Sequence, residues 1–405
     1  MSAESRPDGS SEQHEGSGLF SLLASLFIAV AWLTLGILDR GAPGGVWSLP
    51  FTFAQVALIS VVIWQVCDPF ADAAQWVGQR FRLPGSVRGA TLDAVASSMP
   101  ELFSGIFFVV VAVSAAADGT SGAATQEAIV KAGAEGFGST IATCAGSAVY
   151  NMILIPAFCA LVISFSRPER PTIDIDDEVI ARDGVWFLSC EILLIMFLFQ
   201  HQMMWWMGVC LLAVYAVYIG QLYFDAVQFR RKQDAVNDYL TAHGPETRVR
   251  EVIAAMKEQR LRVSPALVVN AQESLQASGT VSEEETDSAG VFFGYIQIPL
   301  NMATTILIVT VSTLIAAVAC YFLVEATLQT ARLLDVPAFF VAVILAAAAS
   351  SVPDTFLAIA AARRGDDSGA VSNAFGSNIF DICICLAIPL LVNAWLTGWE
   401  PVSLL

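Results

Sequence analysis

Two acidic residues stand in stretches of chain that are otherwise apolar. Glu101 follows Pro100 in ASSMPELFSGI, residues 96–106, and Asp354 follows Pro353 in ASSVPDTFLAI, residues 349–359. Ala, Ser, Ser, Pro, an acid, Phe and Ile fall in register in the two segments. On a helix, Ser97 lies four residues and Ser98 three residues before Glu101, so hydroxyls and carboxylate share a face. Ser350 and Ser351 repeat the arrangement for Asp354. Proline has no N–H, so Pro100 leaves the carbonyl of Ala96 without its helical donor, and Pro353 does the same to Ala349. A second matched piece follows each acid: GSAVYNM at 146–152 and GSNIFDI at 376–382. There Ser147 and Asn151 are four residues apart, as are Ser377 and Asp381.

Every donor in this set is oxygen: carboxylates, hydroxyls, an amide and two freed carbonyls. Hard cations such as calcium and sodium take such ligands, and calcium takes roughly 6–8 of them. Soft or borderline metals would want sulfur or imidazole, and the motifs offer only the peripheral Cys144, Cys383 and Cys385. An acid at the centre of a bilayer costs about 2.5–3.5 kcal/mol or more. Two acids held close repel unless a cation lies between them, so Glu101 and Asp354 are read as bridging ligands. The bland alternative is that the acids cap kinked helices or bond to one another when protonated. It would serve for one isolated motif and fits poorly with two copies that carry matched serines.

The elements that hold these residues are membrane spans. The chain has 405 residues, of which 56% are hydrophobic and 14% charged, and its mean hydropathy is +0.65. Soluble domains carry about 25% charged residues. Apolar runs long enough for a hydrocarbon core of about 30 Å lie at 19–39, 46–67, 89–114, 138–164, 184–201, 204–224, 303–325, 336–362 and 369–395. The expectation is an all-α polytopic membrane protein with about nine spans. The acids fall on the third and eighth, which cross in opposite directions, so the repeats are inverted. Inverted repeats with interrupted helices and midplane polar groups mark secondary transporters. The first repeat carries extra material at 115–137, read as an external loop with a short helix.

The divisions expected are a tail and extra span over 1–45, a first repeat over 46–224, a linker over 225–290 and a second repeat over 291–405. FDAVQFRRKQDAVNDYLTAHG and ETRVREVIAAMKEQRL in the linker have the pattern of two amphipathic helices, and QASGTVSEEETDSAG that of an acidic linker. Arg80, Arg82, Arg88, Arg167, Arg170, Arg182, Arg363, Arg364 and the basic residues of 225–290 fall in loops on one side of this nine-span scheme. By the bias of basic residues that side is cytoplasmic, which puts the N-terminus inside a cell membrane. The net charge of −17 reflects solvated loop acid, and no nucleic-acid partner or cofactor is expected. The eight cysteines are read as small buried hydrophobes. Asp93, two turns before Glu101, is an extra ion or proton site or else an interfacial acid. There is no nucleophile–base pair for an enzyme, and no filter loop for a channel.

At these motifs the chain resembles the calcium/cation antiporter superfamily, and within it the potassium-dependent sodium/calcium exchangers. The residues that carry the resemblance are GATLDAVASSMPELF (89–103), GSAVYN (146–151), AAASSVPD (347–354), AVSNAFGSNIFDI (370–382) and VCDPF (66–70). The resemblance implies exchange of cytosolic calcium for external sodium by alternating access, with Glu101 and Asp354 as central ligands. Ser97, Ser98, Ser147, Asn151, Ser350, Ser351 and Ser377 match ligand or neighbouring positions, and Asp381 matches the position tied to potassium use. Ala96 and Ala349 stand where the family has glycine. The family's usual pattern continues for two helices beyond GSNIFDI and its span, which implies either that a second protomer or a partner subunit covers that flank or that the flank is dispensable. A proton-coupled calcium or divalent-cation exchanger is the alternative.

Overall fold

A computed structural model describes residues 9–41, 43–119, 123–166, 177–277, 288–364 and 367–403. The chain forms α1 (Gly9–Gly41), α2 (Ser48–Arg80), α3 (Gly85–Arg88), α4 (Ala94–Gly119), α5 (Ala123–Val149), α6 (Ile155–Ser166) and α7 (Asp177–Leu198). Strand β1 (Gln202–Met203) precedes α8 (Trp205–His243), α9 (Val249–Glu258) and α10 (Pro265–Ala277). The hairpin β2 (Ser288–Val291) and β3 (Ile296–Pro299) leads into α11 (Met302–Leu334). Then come α12 (Ala338–Val341), α13 (Ala347–Ser350), α14 (Val352–Arg364), α15 (Asp367–Phe380), α16 (Ala387–Leu396) and β4 (Val402–Ser403). Short π-helical turns join four of these pairs, at Gly89–Asp93, Tyr150–Leu154, Ala342–Ala346 and Asp381–Cys385.

Among the described residues, eight helical stretches are long and apolar enough to cross a membrane: Ser21–Gly41, Ser48–Arg80, Gly85–Asp118, Gln126–Phe165, Trp205–His243, Met302–Leu334, Ala338–Arg363 and Asp367–Leu396. The remaining expected span, 184–201, falls on α7, which is less apolar because it carries Arg182, Asp183 and Glu191. The 22 residues of α7 still measure about 33 Å at 1.5 Å per residue. Near its start Arg182 pairs with Asp183 at 2.7 Å and with Asp225 of α8 at 3.3 Å. The Tyr218 hydroxyl donates to the buried Asp183 carboxylate at 3.3 Å. Past the end of α7, Gln202 pairs with Ser403 and Met203 with Val402.

These contacts define two ends of the bundle. At the basic end Arg82 pairs with Asp234 at 3.0 Å, and Gly89 abuts the backbone of Gly369. At the far end the Gln126 amide donates to the Thr397 carbonyl at 2.8 Å, and Asp39, Ser48, Gln329 and Arg332 line one cleft. The segment α3–α4 therefore leaves the basic end, whereas α12–α14 leaves the far end and returns to the basic one. The two acid-bearing segments run in opposite directions.

Three boundaries differ from the sequence expectation. The material at 115–137 is mostly helix, because α5 starts at Ala123 and runs 27 residues. Its glycines serve close packing: a Cβ on Gly136 would lie 2.6 Å from the Phe108 carbonyl oxygen of α4. Helix α2 continues to Arg80 through Pro69. The first expected linker helix is the tail of α8, which runs 39 residues without interruption. That tail, α9 and α10 close a small apolar core of Val236, Leu240, Val252, Met256, Val268 and Ala271. Arg167, Arg170 and the acidic run SEEETD lie outside the described residues.

Candidate cation site

The acid helices are laid out alike. Each begins with four α-helical residues, Gly85–Arg88 or Ala338–Val341, followed by a five-residue π turn, Gly89–Asp93 or Ala342–Ala346. The serine pair, proline and acid come next. A π turn inserts an extra residue into a helix and often marks a functional segment. The glycine that opens each second motif packs on the π turn of the other repeat. A Cβ on Gly376 would lie 2.7 Å from the Ala90 Cα, and one on Gly146 would meet the Val343 carbonyl. Ala90 and Val343 are equivalent in the register that pairs Ala96 with Ala349. Only glycine permits these approaches, and they bring Ser147 and Ser377 up to the acids.

The prolines act less symmetrically than the sequence suggests. Pro100 sits inside a continuous α4, and the Ser104 hydroxyl donates to the Pro100 carbonyl. In the second repeat the helix stops at Ser350, turns at Ser351 and resumes at Val352.

All twelve residues singled out from the sequence are buried: Ala96, Ser97, Ser98, Glu101, Ser147, Asn151, Ala349, Ser350, Ser351, Asp354, Ser377 and Asp381. Two relays join six of them, each running from an acid through a serine of its own repeat to a serine of the other. Ser147 donates to Glu101 Oε1 at 3.2 Å and accepts from Ser351 of the other repeat at 3.1 Å. Ser377 donates to Asp354 Oδ1 at 2.8 Å and shares a 3.2 Å hydrogen bond with Ser97 of the other repeat. Each acid is thus held by the serine of its own repeat, and that serine is held by the opposite repeat. Ser350 instead turns its hydroxyl back to the Ala347 carbonyl at 3.2 Å.

What is left unpaired decides what the site can hold. Glu101 Oε2, Asp354 Oδ2, both carboxylate oxygens of Asp381, the Ser98 hydroxyl and the Asn151 carbonyl oxygen are buried without a hydrogen-bond partner. One such group costs about 1–3 kcal/mol, and a charged one more. Six orphan oxygens, two of them on the acids that the relays hold, are a donor set for a cation of the hard class. Among the described residues no three acidic, thiol or imidazole side chains form a ready metal-binding cluster.

Asn378 belongs to this centre and was not singled out from the sequence. It accepts from the Asn151 amide at 3.1 Å, and its own amide nitrogen is buried and unpaired. The signal was present in GSNIFDI, where the first repeat has Ala148. Asp93 lies outside the centre: it pairs with Arg88 at 3.2 Å across the first π turn, and both side chains are largely buried.

Two inverted helical segments with a shared, buried, oxygen-rich centre define the secondary-transporter class. The family model for "Sodium/calcium exchanger protein" matches residues 51–224 and 304–403. The chain belongs to that family, within the calcium/cation antiporter superfamily. It is 24% identical over 395 residues to human sodium/potassium/calcium exchanger 5, an alignment covering 86% of this chain and 72% of the relative. It is 28% identical over 155 residues to human sodium/potassium/calcium exchanger 4, covering 38% of this chain and 20% of the relative. In fold it is similar to a crystal structure of the H+/Ca2+ exchanger CAX, with TM-score 0.56 and 15% identity, covering 96% of this chain and 77% of that one.

Proposed function

We propose that this membrane-embedded calcium/cation antiporter exchanges calcium for sodium, with potassium carried alongside calcium, at the centre formed by Glu101, Asp354 and Asp381. The observation that carries the reading is the pair of cross-repeat relays, which leave one oxygen of each bridging acid unpaired and buried. Calcium bound there takes Glu101 Oε2 and Asp354 Oδ2, with Ser98 and Asn151 beside them and the Ala96 and Ala349 carbonyls freed by the prolines. Asp381 adds a third carboxylate where the first repeat has Asn151. About three negative charges match one calcium and one potassium ion, or several sodium ions, within the oxygen-donor preference of hard cations. Competition for one anionic centre couples the two fluxes. The relatives named for sodium, potassium and calcium exchange make those ions the first to test.

The basic end faces the cytoplasm by the bias of Lys and Arg toward that side, with the N-terminus inside and the cell membrane as location. Proton-coupled calcium exchange is the second reading. The same orphan carboxylate oxygens that accept a cation also accept protons. Counterflow of radioactive calcium in liposomes, with sodium, potassium and proton gradients imposed one at a time, separates the two. Sodium-driven uptake that potassium stimulates supports the first. Uptake that follows only the pH gradient replaces it with the second, and no uptake under any gradient refutes antiport.

A further inference from the structure

The β2–β3 hairpin places non-helical backbone at the depth of the cation centre. Its base lies toward the basic end, where Ser288 pairs with Pro299 and the chain enters α11 at Met302. Buried Ala289 packs there with Ala73 of α2 and Ile308 of α11. From that base the hairpin climbs along α2. The Gly290 amide donates to Asp72 Oδ2 at 3.0 Å, and the Phe293 amide donates to Gln65 Oε1 at 2.7 Å. Gln65 and Asp72 are seven residues apart, two turns along one face of α2.

The tip is level with the acids. Ile63 and Cys67, on either side of Gln65, share an apolar cluster with Ala349 of the Asp354 segment. Trp64 stacks on Phe356 at 4.3 Å and 14°, and its edge meets Phe293 at 6.0 Å and 77°. Phe356 is two residues past Asp354, so one indole ring separates the tip from the helix that carries the acid. The turn is tight: Phe292, Phe293 and Gly294 have φ of 54°, 60° and 80°, a backbone region unfavourable for bulky residues.

Unpaired strand edges are not tolerated in lipid; at membrane depth they occur only against protein or water. Side chains of α2 satisfy the Gly290 amide of β2 and the Phe293 amide of the turn. No further strand lies beside β3 among the described residues, and Tyr295 and Ile296 are more than half exposed. By that rule the open edge of β3 faces water or protein, not hydrocarbon. The attachments are also unequal. The hairpin is covalently continuous with α11 and hydrogen-bonded to α2, whereas it reaches α14 through the Trp64 ring of α2, which touches Phe293 on one side and Phe356 on the other.

We propose that the hairpin is the inner gate of the transport path. It is a plug fixed to α2 and α11 that fills the basic-end approach to Glu101 and Asp354 and leaves α14 when that approach opens. The proposal rests on the antiporter reading, and its test separates the two. Thr355→Cys, one residue past Asp354 and half-buried, is introduced into the full chain in liposomes. It is labelled from the basic-end side with a charged, membrane-impermeant thiol reagent, and the unaltered chain supplies the blank. Gln65→Leu with Asp72→Asn removes both anchors; Phe293→Ser removes the aromatic seal and keeps them. Labelling is expected to accelerate by about tenfold in each variant, the scale of losing one or two hydrogen bonds or a ring contact. Unchanged labelling in both variants overturns the gate, and if the anchor variant does not fold, Phe293→Ser decides. Calcium counterflow by the unaltered chain is measured in the same liposomes; its absence refutes antiport whatever the labelling shows.

Discussion

From residue 85 to 106, and again from 338 to 359, the chain repeats one plan in opposite directions: a short α turn, a π turn, two serines, a proline and an acid. At the centre the copies agree closely, down to a serine relay from each acid to the opposite repeat. Away from the centre they part. Arg88 pairs with Asp93 across the first π turn, where the second repeat has the buried Val341 and Ala346. The first acid helix is continuous and the second is interrupted at Ser351. The hairpin has a counterpart in neither acid segment, and its tip lies across Trp64 from Phe356 of the second acid helix. A centre that must serve an ion arriving from either side gains from symmetry, whereas two gates that open in turn gain from being different.

The comparison can be broken at the acids first. Glu101→Gln and Asp354→Asn should each lower calcium exchange by about 100-fold or more, the cost of removing one partner of a buried charge interaction. Flux in vesicles with matched protein content measures it. Near-normal flux in either variant would show that the acids are not equivalent. Gly146→Ala and Gly376→Ala come next. Each Cβ meets backbone of the opposite π turn, and overpacking of this kind costs about 1–3 kcal/mol. Thermal unfolding in detergent should show both variants destabilised, with cation affinity falling as the serines are pushed from the acids.

Ser147→Ala and Ser377→Ala sharpen the comparison further. Each removes a hydrogen bond to a carboxylate, worth about 1.5–3 kcal/mol, so apparent calcium affinity should fall by roughly tenfold or more in both. Titration of binding would expose asymmetry if one variant is silent. The smallest effect is expected at Asp93→Asn. Its ion pair with Arg88 lies outside the centre, so its loss falls on folding stability and not on the bound ion. Calcium affinity should change by less than about fivefold in the same titration.

The centre was legible because its donors are contiguous in sequence and occur twice. Periodicity placed Ser97, Glu101, Ser147 and Asp381 on helices, and repetition argued against accident. The relays themselves were not legible, because Ser147 to Ser351 is a contact between repeats set by glycine packing on π turns. Those turns carry no local signature: Gly89–Asp93 and Ala342–Ala346 read as ordinary helix. The stretch at 115–137 is helical because close packing of Gly133 against α16 and of Gly136 against α4 outweighs the low helix preference of glycine. The hairpin was hidden for a different reason. Its four-residue strands are too short to announce themselves, and their partners lie more than 200 positions earlier, on α2.

The measurement closest to the central claim is a structure of the full protein in lipid with calcium or strontium bound. The account predicts ion density between Glu101 Oε2 and Asp354 Oδ2, with oxygen distances of about 2.3–2.6 Å. Density beside Asp93, or an undisturbed pair of acids with the ion bound elsewhere, would contradict it.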